Sequence, residues 1–527
     1  MALFGPVFVA LGLVALAYRI LSIGRRHPRM PKGPPTVPLL GNAHQIPRSG
    51  LYKQFLRWAK EYGPVFSLKI GPSNVVVLCD RQAIHKLLVE KGSIYSDRPP
   101  SYVGNLLTKG DHLALEQMDP TWRDKRKVIS HNFSPKRLDE NHFKVQEAEA
   151  TVLMTNLLDN PEGFYDDIRR YTASVVTSIT FGYRAPTFES FWGHGVYDVM
   201  NKWTTCMEPG ANPPVDDFPV LRCIPASLAF WKRRAIDAGR TMDGVWSEAR
   251  RRVEARRATG ERRNCIMDHL LDEYEKKGWP PTISQHAFTN LLGETVEGGA
   301  DTTAAQLLTL ILAFALYPEV QERARREIDA ACGSDRSPRW DDFAAMPYVN
   351  CIVKEGMRWR PVAVTALPHR ARQDDEYEGM FIPKDSTVFI PTWALHHDPD
   401  IYENPDAFYP ERYLSHPKLA NDYAGSPDWA RRDHYNYGAG RRICPGIHLA
   451  ERNMWRIAAK LLWAFEFSEP VDPATGQIQH LDPDAYNPGI LQAPLPFKVQ
   501  IKVRSQAHAD TIRREHEAAL EFMKQYE

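Results

Sequence analysis

Hydrophobic and polar positions along this chain follow three patterns, and each predicts a different kind of element. The first is a continuous apolar run: Ala2 to Tyr18 carries no charge, and Leu21 and Ile23 extend it past Arg19. A membrane-crossing helix needs about 20 apolar residues, and an arginine near its end can reach back to the interface. Ala15-Leu16-Ala17 resembles a signal cleavage site, but positive charge follows the apolar run (Arg25, Arg26, Arg29, Lys32) instead of preceding it. That is the order of an anchor and not of a cleaved leader. Residues 1–24 are predicted to cross the membrane once, and the flanking basic residues place the body on the cytosolic side. Residues 25–40, with Pro31, Pro34, Pro35 and Pro38, are expected to form a basic, proline-rich hinge, a stiff spacer without helix.

The second pattern is β-branched. Val65–Ile70 and Asn74–Leu78 flank Gly71-Pro72-Ser73 and predict a hairpin. The third is helical. Ser284 to Leu316 is apolar throughout, with Ser284 placed to cap its start and Pro318 to open the next helix. Gly446 to Phe467 is apolar at Leu449, Met454, Ile457, Leu461 and Leu462 and predicts another helix, whereas Tyr95 to Pro120, rich in Pro, Gly and polar residues, is expected to be an irregular loop. Residues 505–527 form a charged tail of helical pattern, expected on the surface. No Gly/Ser linker divides residues 41–504, so the expectation is one large, mainly α domain with small β-sheets.

Composition narrows the classes further. Among 527 residues the net charge is +1, which gives no nucleic-acid signal. The seven cysteines are scattered and odd in number, without Cys-x-x-Cys spacing. This argues against a disulfide framework or a zinc site and for a reducing compartment.

One cysteine sits in an unusual setting: Tyr437-Gly438-Ala439-Gly440-Arg441-Arg442-Ile443-Cys444-Pro445-Gly446. Small residues let a loop bend tightly around a bulky planar cofactor while one thiolate binds metal, and Arg442 can neutralise a carboxylate. The segment resembles the cysteine-ligand loop of the cytochromes P-450, Phe-x-x-Gly-x-x-x-Cys-x-Gly, with Tyr437 where the family prefers Phe. The resemblance implies the P-450 fold and haem b (iron protoporphyrin IX) with Cys444 as its axial metal ligand. Three further motifs support it in order along the chain. Gly298-Gly299-Ala300-Asp301-Thr302-Thr303 interrupts the long apolar helix, where two adjacent glycines cost roughly 1 kcal/mol each relative to alanine. Packing against another helix is one reason for them. The resemblance implies another, room for the macrocycle and O2, with Thr302 opening the helical ladder locally and with Asp301 and Thr302 as the catalytic proton-delivery pair. Glu355-Gly356-Met357-Arg358 puts two charges on one helix face; in the family this pair meets a downstream arginine, here Arg412, in a structural triad. Trp122-Arg123-Asp124-Lys125-Arg126 matches Trp-x-x-x-Arg, so that Trp122 and Arg126, with His369 and Arg442, would hold the haem propionates; Trp122 as a plain core aromatic stays open.

By the same resemblance the substrate pocket would include Val362, Val364, Ala366, Ile490 and Leu491, all apolar. Arg123, Lys125, Lys127, Arg431, Arg432 and Arg441 would form a basic face for an acidic electron donor, although ordinary solvated charge accounts for any one of them. The chain carries no flavin domain or Rossmann fingerprint. Its electrons would come from NADPH through NADPH-cytochrome P-450 reductase, with cytochrome b5 as a further partner, at the endoplasmic reticulum membrane. The chain is similar to enzymes of filamentous-fungal secondary metabolism, including hydroxylases of small phenolic polyketides such as those on the patulin route. The expected activity is therefore monooxygenation of a small apolar substrate. A haem-thiolate isomerase or dehydratase that does not use O2, and a non-catalytic haem sensor, stay as alternatives.

Overall fold

The computed structural model describes residues 4–47, 49–208 and 210–527. Its axis is the helix Gln285–Leu316, buried on nearly every face. The Ser284 side chain accepts from the Ala287 amide at 3.0 Å, satisfying one of the unpaired N–H groups at the start. At the other end Tyr317 leaves helical geometry and Pro318 opens the helix Pro318–Cys332. By length and composition the central helix could cross a membrane, yet 78% of its apolar window is buried inside the body. Apolar all round here means core.

The neighbours of the central helix explain its glycines. A Cβ on Gly299 would lie 2.5 Å from Val176 Cγ1 on the helix Phe164–Phe181, so Gly299 is a packing glycine. A Cβ on Gly298 would meet nothing within 4 Å. Packing therefore accounts for Gly299 and does not require Gly298.

The predicted hairpin is present as β1 (Val65–Ile70) and β2 (Ser73–Leu78), paired antiparallel with Val65 opposite Leu78. Four short strands follow: β3 (His369–Arg370), β4 (Asp375–Tyr377), β5 (Met380–Ile382) and β6 (Thr387–Phe389). The main sheet has the order β1-β2-β6-β3, with β2 and β6 parallel. Phe465–Phe467, expected to end a helix, instead lie in strand β7 (Phe465–Ser468), which pairs with β8 (Gln500–Val503); the helix itself is Ile447–Ala464. Alternating burial along Phe465–Ser468 is the period-two signal that the helical reading overlooked.

Two further expectations change. The loop 95–120 contains a helix, Tyr102–Thr108, whose N-cap Ser101 accepts from the Gly104 amide at 3.0 Å. It is short and poor in helix formers, and exists because Val103 and Leu107 pack into the core; a Cβ on Gly239 of the helix Phe230–Ala258 would come within 2.5 Å of Leu107 O. The hinge is not a free spacer either. Arg26 donates to Gly33 O, Pro34 O and Ser67 O, and the Ser67 amide donates to Lys32 O at 2.8 Å, stapling residues 26–34 to β1.

The helix Phe4–Ile23 has 20 residues, about 30 Å of rise, and its side chains from Leu11 onward project away from the body. This is consistent with the expected anchor, whose first three residues lie outside the described ones. At the other end, the tail forms the helix Gln506–Met523, which packs Ile512, Ala519 and Met523 into the core, and Arg184 N donates to Tyr526 O at 2.9 Å.

Candidate active site

A cavity of about 350 Å³ runs between the central helix and the loop 436–446. Of the residues predicted to act there, Cys444, Trp122, Arg126, His369, Arg442, Thr302, Val362, Ala366, Ile490 and Leu491 line it. Asp301 and Val364 do not. Val364 is buried, and its carbonyl accepts from the Trp393 amide at 3.0 Å. Burial pushes the Asp301 carboxyl up to about 6, against the opposing charge of Arg169 nearby.

The cysteine loop is shaped by its backbone. Cys444 N donates to Tyr437 O at 2.9 Å, closing the loop on itself. Gly440 has φ +64, and a Cβ there would lie 2.0 Å from Leu88 O, so no other residue fits this turn. Cys444 is the one cysteine that reaches the cavity among the described residues. Burial pushes its thiol pKa up, against the pull of Arg126. Tyr437 is buried with its hydroxyl unpartnered.

Opposite the loop, Thr302 Oγ1 donates to Gly298 O at 2.6 Å. The helix continues as regular α through this point, so the expected local opening of its ladder is not found, and the hydroxyl bonds to the carbonyl four residues back instead. Beside it the Gly298 position is open space.

One wall is cationic. Arg442 Nε donates to Ser96 O at 2.7 Å and its Nη2 to Glu116 O at 2.7 Å, while its guanidinium stacks 3.9 Å from the centre of the Trp122 ring. Arg98 donates to Ala114 O, Leu367 O and Pro368 O, and Arg126 to Ile443 O. All these acceptors are neutral carbonyls. Burial, then mutual repulsion, lowers the pKa of Arg98 to about 9, and burial lowers that of Arg442 to about 10, which Arg126 deepens. Among the described residues none of the three guanidinium groups, two buried and one half-buried, forms a salt bridge with a carboxylate, an arrangement that an anion in the cavity would stabilise. His369 Nδ1 donates to Tyr95 O at 2.8 Å, and burial holds the ring neutral, its pKa down at about 3. The wall therefore fits a planar group that brings two carboxylates, as haem does. Arg98 was not foreseen: it stands alone in a proline-rich loop, with no local pattern to mark it.

Behind this wall, Glu355 and Arg358 are fully buried and bonded twice, Arg358 Nη2 to Oε1 at 2.7 Å and Nε to Oε2 at 2.8 Å. Arg412 Nε lies 3.4 Å from Glu355 Oε1, and the Tyr409 amide donates to the same oxygen at 2.8 Å. The basic face is smaller than expected. Arg123, Lys127, Arg431 and Arg441 are exposed, but Lys125 is buried against Glu116 and Asp111, and Arg432 donates to His434 O and Gly438 O inside the cysteine loop.

Residues 31–501 match the cytochrome P450 family. The chain belongs to that family. It is 43% identical to the cytochrome P450 monooxygenase acuD of Aspergillus aculeatus, over 98% of this chain and 96% of the relative. It is 44% identical to the cytochrome P450 monooxygenase patI of Aspergillus clavatus, over 96% and 94% respectively. A zebra fish cytochrome P450 solved with abiraterone superposes with a TM-score of 0.67 at 23% identity, covering 86% of this chain and 100% of that one. The protein is therefore a cytochrome P450 monooxygenase with the mainly helical P450 fold, closely resembling those of fungal secondary metabolism. Membership implies a haem-thiolate cofactor, which the thiol and the arginine wall of this cavity fit.

Proposed function

We propose that this cytochrome P450 binds haem b through Cys444 and inserts one oxygen atom of O2 into a small apolar substrate, most suitably an aromatic or phenolic metabolite of a fungal secondary pathway. The other oxygen leaves as water, with two electrons from NADPH and two protons. The observation that carries the reading is that a single cavity joins the Cys444 thiol to the Thr302 face under an apolar roof of Val362, Ala366, Ile490 and Leu491. When bound, haem with a thiolate ligand supplies O2 activation, because the thiolate pushes electron density onto iron and favours O–O cleavage; the cytochromes P450 are the standard case of this effect.

In this reading Arg98, Arg126 and Arg442 neutralise the propionates, with Trp122 and His369 beside them, and Glu355, Arg358 and Arg412 brace the loop from behind. Thr302 and Asp301 control protons, Thr302 from the cavity face of the central helix and Asp301 from the adjacent face. Electrons arrive from NADPH-cytochrome P450 reductase, with cytochrome b5 as a second donor, at a cytosolic face bearing Arg123, Lys127, Arg431 and Arg441. The helix Phe4–Ile23 anchors the enzyme once in the endoplasmic reticulum membrane.

The direct test is titration of the purified ferric protein with small phenols. A saturable shift of the iron from low to high spin, followed by hydroxylated product when reductase and NADPH are added, is the expected result; normal thiolate spectra with no shift would send the substrate assignment elsewhere. Thr302→Ala is expected to divert most consumed NADPH into hydrogen peroxide, since the cavity loses its hydroxyl at the helix face. Undiminished product yield per NADPH in that variant would remove Thr302 from proton delivery.

A further inference from the structure

Two turns before Thr302, the central helix puts a second kind of chemistry into the same cavity. Glu294 and Glu297 both line it, with His112 from the loop after helix Tyr102–Thr108 and Trp203 from the helix Phe191–Met207. Three of these side chains are more than nine-tenths buried, with exposures of 8% for His112, 7% for Glu294 and 5% for Glu297. Part of the group is fully bonded. Gly293 lets the Trp246 ring lie flat on the helix, since a Cβ there would meet the ring at 2.4 Å. Trp246 Nε1 then donates to Glu297 Oε1 at 2.6 Å, and His112 Nε2 donates to Glu297 Oε2 at 3.3 Å. Glu294 Oε2 accepts from the Leu113 amide at 2.7 Å.

Two buried atoms of the group have no partner: Glu294 Oε1 and Trp203 Nε1. His112 lies between their residues, its ring 5.6 Å from that of Trp203 and its Nδ1 4.0 Å from Glu294 Oε2. A buried polar atom left unpaired costs about 1–3 kcal/mol, and an unpaired donor and acceptor on one cavity wall match a ligand that both accepts and donates.

We propose that Trp203 Nε1 and Glu294 Oε1 hold a hydroxyl group of the substrate, which makes this P450 selective for hydroxylated aromatics over their apolar isosteres. The inference rests on the proposed small aromatic substrate and specifies how one end of it is recognised. Burial, opposed by His112 and Lys125, pushes the Glu294 carboxyl up to about 8, and in either protonation state its unpaired Oε1 can share a hydrogen bond with a hydroxyl, which both donates and accepts. Eight residues separate Glu294 from Thr302, about 12 Å along the axis, so a hydroxyl held at Glu294 turns the far end of the molecule towards Thr302 and the cysteine loop. Oxidation then falls on a carbon remote from the anchoring hydroxyl.

The test is calorimetric titration of the holoenzyme with 4-propylphenol and with 4-propyltoluene, in which a methyl replaces the hydroxyl at nearly constant shape. Wild type is expected to bind the phenol about tenfold more tightly or better. Trp203→Phe, which removes only the N–H, and Glu294→Leu are each expected to erase that preference while affinity for the toluene holds. Should Glu294→Leu fail to fold for want of an acceptor at the Leu113 amide, Trp203→Phe decides alone. Equal binding of the two ligands by wild type, or a preference that survives Trp203→Phe, would overturn this inference and leave the monooxygenase reading standing. Binding of neither ligand would overturn both the inference and the small aromatic substrate.

Discussion

Cys444→Ala is expected to lose the thiolate-type haem spectrum and all NADPH-dependent oxygenation, while the apoprotein keeps its fold. The loop's shape does not depend on the sulfur: the Cys444 amide bonds to Tyr437 O, Gly440 fits against Leu88, and Arg432 reaches Gly438 O from behind. Removing one half-buried thiol deletes few contacts, so the far-ultraviolet circular dichroism should be unchanged and the melting temperature close to that of wild type. Some haem should still associate, because the arginine wall at Arg98, Arg126 and Arg442 is intact, but without the electron density of a thiolate it does not support oxygenation. The thiol is pushed up by burial, so ionisation must come with the metal, which deprotonates a coordinating thiol outright. Metal loading of wild type should accordingly release a proton that the alanine variant does not release. A thiolate spectrum surviving in Cys444→Ala would mean that another cysteine reaches the iron. Cys79, Cys206, Cys265, Cys332 and Cys351 are buried away from the cavity and Cys223 is exposed, so that outcome would contradict the fold as well as the site.

What could be read from the chain divides by range. Ser284, Pro318 and the hairpin turn at Gly71-Pro72 act on residues beside them, and the elements they announce are where they were expected. The cysteine loop and the Glu355–Arg358 spacing are also local, and the Trp122–Arg126 pair shares one helix face because four residues make about one turn. Arg98, His112, Glu294 and Trp203 are different. They belong to four segments, and only the packing of the central helix against Phe164–Phe181 and Phe191–Met207 brings them to one cavity. Lys125 and Arg432 show the same limit in charge: counting basic residues suggested a surface, but Glu116 and the carbonyls of the cysteine loop draw both inside. Val364, two residues from Val362 and chemically identical, is buried outside the cavity, a difference that residue type could not announce. The helix Tyr102–Thr108 was hidden because its sequence is weakly helical and its stability comes from what it covers.

Glu355→Ala is expected to be the most destabilising single change in the molecule, at about 3–5 kcal/mol, because it strands a buried charge. Arg358 is fully buried and spends its remaining donors on His396 O, Pro405 O and Ala407 O. Without the carboxylate it keeps those carbonyls and loses its only counter-ion among the described residues. Arg412, already short of a partner at Nε, would then face Arg358 with nothing between them, and the Tyr409 amide would lose its acceptor. The segment that carries Arg412 also bonds to the chain just before the cysteine loop, where Tyr413 Oη donates to Asp433 O at 3.3 Å, so the first sign should be haem loss on mild heating, ahead of global unfolding. Glu355→Gln keeps the shape and a hydrogen-bond acceptor but not the charge, and should fall between wild type and alanine. Glu355→Ala combined with Arg358→Met should recover part of the loss, since a well-packed apolar pair can replace a buried ion pair at little cost. Thermal melts read at the haem absorbance and by circular dichroism separate these cases. A Glu355→Ala protein that melts like wild type but turns over slowly would refute the bracing role and put Glu355 in the chemistry; a protein that melts early yet turns over normally per bound haem would confine its work to holding the loop in place.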